Sequence, residues 1–179
     1  MEQHVCQAPE PSPGTIWRLN TLCMKKLLLL FILAVNFAWG QMPDISNTWL
    51  NNSKPYTGTI GNKGQDLKLK INISEQNKKN DQEYFVSGYS LVDTNYTKFE
   101  GKITILKYKD SKKQGTVYGE YELAEENKGK HSGLFKGKFV YNFKWNRKTE
   151  KIEEQYIELT GDWKSYDGTI EFKTHLKNQ

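Results

Sequence analysis

From residue 66 the stretch DLKLKINI alternates without a break. Leu67, Leu69, Ile71 and Ile73 share one parity, and Lys68, Lys70 and Asn72 share the other. Successive side chains of an extended chain point to opposite faces, so this pattern marks a strand with one face buried and one in water. It recurs. KFEGKITI sets Phe99, Gly101, Ile103 and Ile105 against Glu100, Lys102 and Thr104, and TVYGEYEL sets Val117, Gly119, Tyr121 and Leu123 against Tyr118, Glu120 and Glu122. The longest run, GLFKGKFVYNFKW, sets Gly133, Phe135, Gly137, Phe139, Tyr141, Phe143 and Trp145 against Lys136, Lys138, Asn142 and Lys144. Four more strands are read at 54–60, 84–91, 152–163 and 168–176, the segment 84–91 being apolar on both faces. Helical spacing of apolar residues is nearly absent.

The connectors decide how such strands are joined. GNKG, SEQNKKNDQE, VDTNY, KDSKKQ, EENKGKH, NRKTEK and KSYD are four to ten residues long and rich in Asn, Asp, Lys and Gly. That chemistry suits hairpin loops, and none is long enough for the crossover helix that parallel strands need. Eight strands, each turning back on the last, are predicted to close into an antiparallel up-and-down β-barrel, an all-β fold. A two-sheet β-sandwich is the alternative. An outer-membrane barrel is disfavoured, because its outward face would have to be apolar. Here one face carries Lys68, Lys70, Glu100, Lys102, Glu120, Glu122, Lys136, Lys138, Lys144, Glu158 and Asp162.

Glycines stand at the inward parity of several strands: Gly58, Gly101, Gly119, Gly137 and Gly161, and less clearly Gly88. The alternation continues straight through them, so they are not turn residues. Inward glycines let strands coil sharply, and small residues beside Phe, Tyr or Trp fill the taper of a small barrel. Gly-punctuated short strands in an exported eight-stranded meander resemble the lipocalin and avidin-like barrels. That resemblance spans nearly all of 54–176 as architecture, and it implies a small, largely apolar ligand held inside the barrel. Lipocalins carry Gly-x-Trp near their first strand, whereas Gly161-Asp162-Trp163 falls on the seventh here, so no functional residue is carried over.

The start of the chain points to a compartment. Lys25 and Lys26 precede an apolar run from Leu27 to Val35, and Ala38-Trp39-Gly40 follows, the layout of a signal peptide over 24–40 cut before Gln41. The apolar run is shorter than the roughly 20 residues that a membrane span requires. Residues 1–23 precede this complete signal and carry Pro9, Pro11, Pro13 and Gly14, which fits an upstream extension outside the fold. Residues 41–179 are then expected to form one exported domain, periplasmic or extracellular. Its Lys-, Asn- and Ile-rich composition looks bacterial. Both cysteines, Cys6 and Cys23, lie before Met24, so the exported part must hold together by packing rather than by disulfides. The formal net charge is +5 with both signs interleaved, a solvated surface rather than a nucleic-acid patch.

Catalytic groupings do not emerge. Beyond the signal the histidines are His131, in a connector, and His175, on a polar strand face, so neither a metal site nor a cofactor is expected. Glu125-Glu126 and Glu153-Glu154 are sequence neighbours that a strand would point apart. No nucleophile elbow or phosphate loop appears, and the chain is not expected to be an enzyme. The aromatics carry the functional expectation. Phe99, Tyr121, Phe135, Phe139, Tyr141 and Trp163 are predicted to point into the barrel, where they could line a pocket for an apolar or amphipathic ligand. The alternative is a solid-cored barrel acting through its surface as an envelope or protein-interaction component. If the export reading is right, mass spectrometry of the native protein should find Gln41, free or as pyroglutamate, at the amino terminus. Recovery of peptides from residues 1–20 would refute it.

Overall fold

In a computed structural model the described residues are 42–178, apart from 112, 113, 130, 147 and 150. The upstream extension, the signal peptide and the cut before Gln41 lie outside them. The strands are β1 Tyr56–Ile60, β2 Gln65–Asn77, β3 Asn80–Val92, β4 Asn95–Asp110, β5 Gln114–Glu125, β6 Gly133–Asn146, β7 Lys151–Ser165 and β8 Glu171–Lys177. Each pairs antiparallel with the next, and β8 pairs with β1, so the sheet closes into an eight-stranded barrel and not a sandwich.

The alternation places the core. Leu67, Leu69, Ile71, Ile103, Ile105, Leu123, Ile157, Leu159 and Leu176 are buried together with the inward aromatics. Outward positions carry charges that pair across strands: Lys173 meets Asp162 at 2.6 Å, Lys136 meets Glu122 at 3.1 Å and Lys102 meets Glu83 at 3.6 Å. Exposed pairs of this kind add little stability, but they make an exterior that suits water. No helix among the described residues is long and apolar enough to cross a membrane.

Two details depart from the sequence reading. The stretch 74–83 is not a loop: β2 runs to Asn77 and β3 starts at Asn80. Its polar residues extend the hairpin beyond the core, where hydrogen bonds hold it. Gln76 Nε2 donates to the Asp81 carbonyl at 2.8 Å and to the Tyr84 hydroxyl at 3.1 Å. Second, the period-two register slips at bulges, where one strand carries an extra residue and the parity flips. Extra residues fall at Asn72 on β2, Leu106 on β4 and Glu153 on β7, and the first of these turns Ile73 outward. Ile73 is 56% exposed, Leu106 59% and Trp145 45%, so Ile73 and Trp145 are not inward as their alternation implied.

A further element has no counterpart in that reading. Residues 42–53 form a short helix, α1 Ser46–Trp49, and a 3-10 turn, Asn51–Ser53. They insert Trp49 into the barrel end that holds the β2–β3, β4–β5 and β6–β7 hairpins. The Trp49 ring meets Phe139, Tyr84 and Tyr141 edge-on, with centroids 5.0, 5.8 and 6.2 Å away. Edge-to-face packing at these separations is favourable beyond simple burial. The Tyr56 hydroxyl donates to the Trp49 carbonyl at 3.0 Å, so the plug is hydrogen-bonded as well as packed.

Gly137 on β6 and Gly161 on β7 face each other across the ladder. A Cβ on Gly161 would lie 2.3 Å from the Lys136 carbonyl oxygen and 2.6 Å from the Gly137 Cα. The obstacle is backbone, which cannot swing aside. Gly161→Ala is therefore expected to cost about 1–3 kcal/mol by forcing the strands apart, measured by urea unfolding. A loss below about 0.5 kcal/mol, typical of an unconstrained surface site, would show that this close approach is not required.

Candidate functional site at one barrel mouth

All six aromatics singled out in the sequence are inside, between 0 and 6% exposed. They do not share one pocket. Phe99, Tyr121, Phe135 and Phe139 are packed in the barrel interior, Phe139 against the Trp49 plug. Tyr141 reaches the wall of a cavity of about 260 Å³ beside the segment that leads into Trp49, lined also by Met42, Ile45, Ile105, Val117 and Phe143. Trp163 reaches the opposite mouth. Burial pushes the hydroxyl pKa of Tyr121 and Tyr141 above the usual tyrosine value, so both stay neutral packing groups at physiological pH.

The mouth reached by Trp163 is the chemically richest place in the fold. Its cavity, about 310 Å³, has an apolar flank of Ile60, Val92, Ile170 and Phe172. Its polar flank carries Gln65, Ser90, Asn95, Thr97, Glu125 and His131. The Trp163 and Phe172 rings stack at 6.0 Å with 17° between their planes. A larger concavity of about 510 Å³ lies on the outside of the barrel, between Ile73, Phe85, Lys102 and Glu122. It brings no buried polar group to a focus, whereas a ligand pocket couples an apolar wall to a few placed polar groups.

Glu125 is the centre of this mouth. It ends β5, is 6% exposed, and accepts from donors on neighbouring elements. Trp163 Nε1 on β7 donates to Oε2 at 2.8 Å, the Gly133 N–H at the start of β6 donates to the same oxygen at 3.0 Å, and the Ser90 hydroxyl on β3 donates to Oε1. The Tyr166 hydroxyl donates to the Glu125 main-chain carbonyl. Burial, and then the charge of Glu125, hold that hydroxyl above the usual tyrosine pKa. Two N–H groups and a hydroxyl thus converge on the two carboxyl oxygens, which can accept from all three. Among the described residues no cationic side chain lies within 4.0 Å of it.

In the sequence Glu125 reads as the first residue of a polar connector. A signal was present nonetheless: Val117, Gly119, Tyr121, Leu123 and Glu125 share one parity, so a strand two residues longer carries the carboxylate inward. Ser90 likewise continues the parity of Tyr84 and Val86. His131, read as a surface residue, is exposed and yet belongs to the cavity wall. No group of three or more His, Cys, Asp or Glu side chains among the described residues could hold a metal ion.

Removing the carboxylate would strand the donors of Trp163 and Gly133, while the Ser90 hydroxyl keeps the Thr97 carbonyl at 3.4 Å. Each buried unsatisfied donor costs about 1–3 kcal/mol, so Glu125→Ala should lower unfolding free energy by at least that much. Glu125→Gln, which keeps an acceptor, should lose less. Equal stability of the wild type and Glu125→Ala in urea would show that the network does not hold the mouth together.

No protein-family model, no curated protein and no solved structure matches this chain.

Proposed function

We propose that this is an exported, water-soluble β-barrel protein that binds a small amphipathic molecule at one mouth of the barrel, without catalysis. The observation that carries this reading is the cavity of about 310 Å³ whose wall combines the Trp163 and Phe172 rings with a buried carboxylate. That volume is at the small end of ligand pockets. It joins an apolar wall, which repels water, to hydrogen-bonding groups that can orient a guest. Compared with lipocalin-like barrels the guest sits higher, because Phe99, Tyr121, Phe135 and Phe139 fill the middle. Export rests on the signal-like segment 24–40, and the compartment in this reading is periplasmic or extracellular.

A second reading is favoured by the other end of the barrel. Tyr108 and Ile152, both exposed, line the apolar cavity beside Met42 and Ile45, and exposed Trp145 is the register partner of Ile152. Apolar groups exposed together in this way mark contact surfaces, so the barrel would act as an envelope or interaction component through this end.

A neutral fluorescent dye, N-phenylnaphthylamine, separates the two. If the mouth is the binding site, the dye should brighten in the purified protein and accept energy chiefly from Trp163, so that Trp163→Phe lowers transfer more than Trp145→Phe does. The larger loss with Trp145→Phe instead would favour the second reading. Absence of any dye binding would sink the small-ligand reading.

A further inference from the structure

We propose that the mouth cavity selects a small organic cation, with an ammonium group against Glu125 and an apolar body on Trp163 and Phe172. This rests on the reading of the mouth as a binding site and adds the ligand class. Among the described residues Glu125 is the one carboxylate in the cavity wall, and no Lys or Arg contributes to that wall. The groups that hold it, an indole N–H, a backbone N–H and a hydroxyl, are neutral dipoles. They keep the carboxylate in place without cancelling its charge. A charge sheltered from water and left uncompensated attracts an opposite charge more strongly than one in bulk solvent does.

Four of the other polar lining groups, Gln65, Ser90, Asn95 and Thr97, carry no charge, and the fifth, His131, is exposed. Gln65, Asn95, Ser90 and Thr97 present side-chain oxygens that can accept from an ammonium. The stacked rings of Trp163 and Phe172 offer negative π-faces, which attract cations and accept a flat apolar body. A hard metal ion is a poor match, because it requires several oxygen ligands with more than one carboxylate as a rule. A purely structural hydrogen-bonded clip would need no cavity beside it. This one forms part of a cavity wall.

Three soluble probes of similar size and different charge test the proposal: phenethylammonium, hydrocinnamyl alcohol and hydrocinnamate, titrated calorimetrically into the purified protein at neutral pH. Phenethylammonium should bind about tenfold or more tightly than the alcohol, a step of ~1.4 kcal/mol, and hydrocinnamate more weakly than either. Raising the salt should weaken the cation and leave the alcohol unchanged. Glu125→Gln should bring the cation to the affinity of the alcohol, and if that variant does not fold, the wild-type series with its salt dependence decides alone. Alcohol binding as tight as cation binding, with energy transfer from Trp163 to the dye retained, overturns the cation preference and leaves mouth binding intact. Binding of none of the probes, together with no dye binding, overturns both.

Discussion

Closure of the barrel depends on how closely neighbouring backbones approach at the inward glycines. At the seam, Gly58 of β1 pairs with Leu176 of β8, and a Cβ there would fall 1.8 Å from the His175 carbonyl oxygen. A side chain cannot occupy the space of a carbonyl, so any other residue would pry the first and last strands apart. Without that seam the sheet has two edges of unpaired backbone groups, which invite association with other chains. The collision avoided is with the adjacent strand's backbone, a stricter demand than room for a facing side chain. This accounts for glycine where alanine would serve a core equally well.

Tight coiling has a consequence for the interior. A small barrel leaves room only for side chains, and here the large rings of Phe99, Phe135, Phe139 and Tyr121 take that room. What remains is divided between the ends, and the chain treats the ends differently. One receives Trp49 from the residues before β1, held by Tyr56 and packed on Tyr84, Phe139 and Tyr141. The other is braced by Glu125, which links β3, β5, β6 and β7 through hydrogen bonds. One end is thus closed by an apolar ring, and the other keeps a hydrogen-bonded carboxylate beside a cavity.

Much of this was legible in the residues. Alternation in 66–73, 98–105, 116–123 and 133–145 gave strands, parity placed the six aromatics inside, and short polar connectors required antiparallel neighbours. The misses share a cause. Period-two logic assumes an unbroken ladder that is buried along its length, so it carried Ile73 inward across a bulge that turns it outward and Trp145 inward beyond the end of the core. It also treats polar residues as the end of a strand, which hid the hairpin through 74–83 and the inward carboxylate of Glu125. Polarity there reports what the side chain meets, namely hydrogen-bonding partners from other strands, and sequence neighbours do not carry that information.

By itself, then, the sequence determined the class of fold, the strand order and which face of most strands meets water, because these follow from local alternation and from connector length. Only the tertiary structure decided where the ladder slips, that Trp49 returns to stopper one end, and that Ser90, Gly133 and Trp163 gather on Glu125 at the other. The physical reason is range. Alternation is a property of adjacent residues, whereas the Glu125 network joins groups 35, 8 and 38 positions apart in the chain. Such groups meet only after the barrel has closed.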